Sequence, residues 1–240
     1  MKKELSLSSK YQMQMVVAIA VGTLAFIGLV AIIVSASAGE LKLTPLNTIP
    51  VSETQDKKPE SSASEVIVYA SDLNDDALYE FDFWKDAASP GGKMIGTPNS
   101  GDELDPPPEN DPHVNFKLKV QRGIPYRCWI HMKVGAPKGK SKANKFWVQF
   151  SDAVDKANKE VFRPRSGSYL TAQGPEQEGW TWVECVVENA KSSESLIYFR
   201  NDGEVTIRLQ AGMEGVGFDQ FLLSPAKFLE KPPSEAVVKK

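Results

Sequence analysis

From residue 65 onward, apolar side chains recur at every second position in short runs, the period of a strand with one buried face. The clearest run is Val205, Ile207, Leu209 and Ala211, alternating with Thr206, Arg208 and Gln210. Gly212, Gly215 and Gly217 supply turn residues, and Val216, Phe218, Phe221 and Leu222 open a second apolar strand around Asp219. These two runs predict a closing antiparallel hairpin. Upstream, residues 66–70 (VIVYA) and 78–84 (LYEFDFW) predict two strands. Val114, Phe116, Leu118 and Val120 predict another, half-buried. Tyr126, Cys128, Ile130, Met132 and Val134 predict an inward face, leaving Arg127, Trp129, His131 and Lys133 outside. The same phase sets Phe146, Val148 and Phe150 against Trp147 and Gln149, and Val183 and Cys185 against Trp180, Trp182 and Glu184. With a last short run at 196–199 (LIYF) and no amphipathic helix longer than about two turns, the pattern predicts an all-β fold. About nine strands separated by turns suit an antiparallel jelly-roll β-sandwich.

The start of the chain follows a different pattern. No charge falls between Lys10 and Glu40, and residues 15–34 (MVVAIAVGTLAFIGLVAIIV) are continuously apolar. As a helix such a run reaches about 30 Å, the thickness of the hydrocarbon core. It reads either as an uncleaved transmembrane anchor or as a signal peptide ending at the small residues Ala36, Ser37 and Ala38. Lys2, Lys3 and Lys10 precede it, so either reading keeps the first residues cytoplasmic and sends the remainder outside, to the periplasm or cell surface. Residues 39–64 are rich in Ser, Thr, Pro, Lys and Glu and read as a flexible linker. The expected order is therefore a cytoplasmic segment (1–10), an anchor or signal (11–38), the linker, a sandwich (65–230) and a tail (231–240).

A net charge of −3 gives no global basic field, which argues against nucleic acid as a partner. His113 and His131 are the only histidines, and neither an HExxH nor a GxSxG motif occurs, so the reading is non-enzymatic. The acidic stretch at 102–111 reads as a solvated loop and the lysines at 138–145 as a solvated turn. Cys128 and Cys185 share the inward phase of their strands, and either a disulfide or two buried thiols fits that placement. Trp129, Trp147 and Trp182 sit opposite the aliphatic faces of their strands. They suit a surface on which a sugar ring stacks, with His131, Arg208 and Gln210 as hydrogen-bonding partners; the alternative is that one or more of them pack beneath loops or against a lysine stem, since phase alone does not show that these strands adjoin. A loop site built from Trp84, Tyr169 and Trp180 is the competing location.

Residues 66–73 (VIVYASDL), 123–134 (GIPYRCWIHMKV), 145–155 (KFWVQFSDAVD) and 196–225 resemble, in this order, exported bacterial modules of the galactose-binding-like superfamily. The resemblance implies non-covalent binding of a glycan or polysaccharide. It also implies a structural calcium near the first and last strands, for which Asp72 and Asp219 are the candidates. The expected function is a membrane-anchored, extracytoplasmic, non-catalytic glycan-binding module. The alternative is an accessory subunit of a membrane or envelope complex. There the sandwich would bind protein, and Gly22, Ala25 and Gly28 would let another helix approach.

Overall fold

The computed structural model describes residues 64–98, 102–135, 144–190 and 192–236. The expected cytoplasmic segment, the anchor or signal, nearly all of the linker and most of the lysine turn lie outside them. Among the described residues no helix is long and apolar enough to cross a membrane.

Thirteen strands are present among the described residues. They are β1 (Val66–Tyr69), β2 (Leu78–Tyr79), β3 (Asp82–Lys85), β4 (Lys93–Gly96), β5 (His113–Val120), β6 (Arg127–Val134), β7 (Lys145–Phe150), β8 (Ala153–Val154), β9 (Leu170–Gln173), β10 (Gly179–Val186), β11 (Tyr198–Phe199), β12 (Gly203–Ala211) and β13 (Gly217–Ser224). One layer runs β2-β5-β12-β7-β9 and the other β6-β13-β4-β3, with β1 beside β13. Strand β10 belongs to both layers. Its residues 179–184 pair with β6, whereas Cys185 and Val186 pair with β9, so one continuous antiparallel sheet folds over along β10. A separate small ribbon joins β8 to β11.

Rings that meet across the gap show the layers face to face. Phe116 of β5 lies edge-on to Phe221 of β13 at 5.1 Å, and Phe146 of β7 to Phe218 of β13 at 5.9 Å. Offset and edge-to-face contacts are what the aromatic quadrupole favours. Each such buried side chain contributes roughly 1.5–3 kcal/mol relative to exposure. The inward sets predicted on β5, β6, β7 and β12 are all buried. The all-β sandwich read from the alternation is thus the observed architecture, and its layers are antiparallel as expected.

Three expectations change. First, β12 and β13 do not form a hairpin. β12 lies between β5 and β7 and β13 between β6 and β1, so the glycine-rich turn carries the chain from one layer to the other. Gly215, at a φ of 84° that side-chain-bearing residues rarely adopt, makes that turn. Both strands are central and already have a partner on each edge, leaving no edge for a hairpin. Second, the run 78–84 is two strands, because Glu80 takes a φ of 57° and breaks the pleat. β2 then joins one layer and β3 the other. Third, the faces expected to be wet are largely covered: Arg127, Trp129, His131, Trp147, Gln149, Arg208 and Gln210 are all buried. Alternation reports which residues share a face, but it is blind to loops and terminal segments that return over the outer surfaces.

Candidate functional site

The sheet register sorts the predicted site residues. On the outer face of the β5-β12-β7-β9 layer, cross-strand neighbours form one row: His113 opposite Gln210, Gln210 opposite Trp147, and Trp147 opposite Thr171. Trp129, His131 and Trp182 lie on the outer face of the other layer, where His131 is opposite Trp182. The six residues expected to share one surface therefore occupy two opposite faces of the sandwich. The competing set divides as well: Tyr169 joins Trp147, Trp180 joins His131, and Trp84 stands exposed on β3 with its indole donating to the Gly96 carbonyl at 3.1 Å.

Beside Trp147 opens a cleft of about 560 Å³. Trp147 and Tyr169 form its aromatic part, with ring centroids 5.9 Å apart and planes inclined at 59°. Thr171 lines it too; the residue is 7% exposed and its Oγ1 has no hydrogen-bond partner. The Lys145 ammonium sits 6.0 Å from the Trp147 ring centroid, on the same rim as Gln173. Glu188 and Asn189, just past β10, form one bank, and Glu103, Leu104, Asp105 and Pro106 form the other.

The second bank is the acidic stretch that reads from sequence as a solvated loop. It is pinned to the sheet. Gln210 Nε2 donates to the Asp105 carbonyl at 2.9 Å, Leu104 N to the Gly212 carbonyl at 3.3 Å, and Asp105 N to Asp111 Oδ2 at 2.6 Å. Arg208 Nη2 donates to Gln210 Oε1 at 3.1 Å and to Asn110 Oδ1 at 3.4 Å. Burial, followed by the nearby Arg165 charge, pulls the Arg208 guanidinium below its usual range, with Asp111 acting the other way. His113 stacks on Tyr79 at 4.8 Å, and its Nδ1 meets the Asp111 carbonyl at 3.0 Å; burial lowers its pKa. Arg208 and Gln210 thus position the wall of the cleft.

On the opposite face the tryptophans hold the chain's own C-terminal segment. The Trp129 indole donates to the Phe228 carbonyl at 2.8 Å and that of Trp182 to the Glu235 carbonyl at 3.0 Å, while Arg127 donates to the Leu229 carbonyl and pairs with Glu184. His131 stacks on Trp180 and lies tilted against Trp182, each at 5.0 Å, and its Nδ1 meets Asp219 Oδ1 at 2.6 Å. Asp219 is the extra residue of a bulge in β13, which explains how its carboxylate reaches an imidazole on β6. Lys133 pairs with Asp86 at 2.6 Å and lies over the Trp180 ring.

The two residues named for calcium differ in their surroundings. Asp72 is exposed on a 3-10 turn (Ala70–Asp72), and Asp219 is fully buried with one oxygen committed to His131. Calcium takes six to eight oxygen ligands, main-chain carbonyls, amide oxygens and waters included, and among the described residues no three His, Cys, Asp or Glu side chains gather at one point. Cys128 and Cys185 are buried free thiols. Burial, together with contact from the Cys185 thiol, raises Cys128 well above the usual cysteine value.

Thr171, Lys145, Gln173 and Glu188 are absent from the residues chosen by sequence. The signal for two of them is short: Thr171 and Gln173 follow Tyr169 in alternation with Leu170 and Ala172, in a strand of only four residues.

No family model matches the chain, and no curated protein does. Solved structures that it matches include carbohydrate-binding modules. One is the C-terminal family 6 module of a laminarinase from Zobellia galactanivorans, at 11% identity and a TM-score of 0.42 over 67% of this chain and 99% of that one. Another is a family 35 module from Clostridium thermocellum, at 12% identity and a TM-score of 0.40 over 68% and 100%. A third is a Podospora anserina β-1,4-mannanase bearing a family 35 module, at 14% identity and a TM-score of 0.41; the match covers 68% of this chain and 28% of the mannanase.

Proposed function

We propose that the chain is a non-catalytic glycan-binding module whose binding surface is the cleft beside Trp147. One observation carries this reading: an aromatic pair, Trp147 and Tyr169, shares a cleft of about 560 Å³ with a buried Thr171 hydroxyl that has no partner inside the protein. A sugar is apolar on its ring faces and polar around its edge, so it needs a ring to stack on and hydrogen-bonding groups beside that ring. The volume is within the range of small-ligand sites. An open cleft also suits a polymer, which must run out of the site at both ends.

In this reading the apolar run at 15–34 and the linker at 39–64 hold the sandwich outside the cytoplasmic membrane, where envelope polysaccharide is within reach. The test is a glycan array probed with the full-length chain in mild detergent. A defined class of glycans should be retained, and Tyr169→Ala should abolish retention while Trp84→Ala leaves it intact. Retention lost equally in both variants, or never seen, would remove the cleft from the account.

A further inference from the structure

The charge of the cleft narrows what it holds. Among the described residues, three that bear carboxylates, Glu103, Asp105 and Glu188, line it against a single ammonium, that of Lys145. That ammonium is itself informative, because it rests over the Trp147 ring, at 6.0 Å from the centroid. The electron-rich face of an indole attracts a cation, so this seat already suits one. Lys145 reaches it along a narrow path: Gly212 N donates to the Lys145 carbonyl at 2.9 Å, and a Cβ at Gly212 would meet Lys145 Cγ at 2.8 Å. Thr171, opposite Trp147 in the β7-β9 register, lines the same cleft with an unpartnered, nine-tenths-buried hydroxyl.

We infer that the glycan bound in this cleft carries free amino groups, as a polymer of de-N-acetylated hexosamine does. The inference rests on the glycan reading given above. An amino sugar offers an ammonium that takes the place of Lys145 over Trp147, while the Lys145 side chain swings to solvent on its flexible stem. The sugar's charge then faces the carboxylates of both banks, and a ring hydroxyl reaches Thr171. A uronic acid would set its own carboxylate against the same three acids, and an N-acetylated sugar has no charge to engage them.

The experiment is calorimetric titration of the full-length chain in mild detergent with three tetrasaccharides, of glucosamine, N-acetylglucosamine and galacturonate, at low and high salt. The glucosamine tetramer should bind about tenfold or more tightly than the acetylated one, and salt should weaken it. Glu188→Gln should weaken it roughly fivefold. The control Asp82→Asn, an exposed acid on β3 in the other layer, should leave it unchanged. Lys145→Ala decides the sign: clearing the seat strengthens amine binding, whereas a site for acidic sugars would lose the cation beside its aromatic ring and weaken. Equal binding of the acetylated tetramer, preference for galacturonate, weakening by Lys145→Ala, or equal weakening by Asp82→Asn and Glu188→Gln overturns the inference and leaves the glycan reading standing. An array on which no glycan is retained removes both.

Discussion

Thr171 is a side chain that serves the fold poorly, and the proposed site gives it a partner. A buried hydroxyl without a partner costs about 1–3 kcal/mol in lost hydration, and valine has nearly the same shape without the polar atom. Thr171→Val is therefore expected to leave the midpoint of chemical denaturation unchanged or to raise it, while glycan retention falls. A threonine with a purely structural role would give the reverse. Asp86 behaves in the opposite way. Its carboxyl is held below the ordinary carboxylate range, first by the hydrogen bond from Lys133, so the native state binds its proton less readily than the unfolded chain does. A depressed folded pKa means stability that is present above the unfolded value of about 3.9 and is lost as pH falls through the folded value. The exposed Lys133 end limits the pair to below about 1 kcal/mol. Unfolding curves for wild type and Asp86→Asn should differ most near neutrality and converge in strong acid. A gap that persisted at the acid end would mean the variant acts through packing.

The strands themselves were legible because each needs only its own neighbours to declare a buried face. Val114 to Val120 by alternate residues, and Val205 to Ala211 likewise, appear in the structure as the sequence predicts. What β12 pairs with was not legible, since the glycine-bearing turn after Ala211 suits a hairpin and an interlayer crossing equally well. Outer faces were misjudged for a related reason. Phase places Trp129, His131 and Trp182 outside β6 and β10, but nothing local says that residues 228–235 return to lie across them. Had the tail been free, two indole N–H groups and Arg127 would face water. As it is, they hold three main-chain carbonyls. Ending the chain after Pro225 should therefore lower stability by several kcal/mol, summed from about 1 kcal/mol per lost hydrogen bond and the exposed indole area. Tryptophan emission should shift to the red in the native state. An unchanged spectrum would show that the segment contributes no cover.

At the scale of the whole molecule the two aromatic faces have different contacts, and the fold along β10 is what separates them. Sequence phase sets Trp129, Trp147 and Trp182 outside their strands, but it reports inside against outside and carries no information about which of two layers a strand joins. Once β6 lies in one layer and β7 in the other, the same outward phase points in opposite directions. The indoles of Trp129 and Trp182 are spent on the C-terminal segment, whereas Trp147 and Tyr169 border a cleft with an unsatisfied hydroxyl. Substitution should then split binding from stability. Trp129→Ala removes a large buried ring and its hydrogen bond, so it should cost about 3–5 kcal/mol; the fraction that remains folded should retain glycan with unchanged affinity. Trp182→Ala, half-exposed, should show the same pattern at lower cost. Trp147→Phe keeps most of the packing and halves the platform, so it should weaken retention while moving the melting temperature little. Affinity measured per folded molecule, with the folded fraction fixed by circular dichroism, checks all three. If Trp129→Ala or Trp182→Ala lowered that affinity as far as Trp147→Phe does, the C-terminal face would be part of the binding surface and the division between the layers would fail.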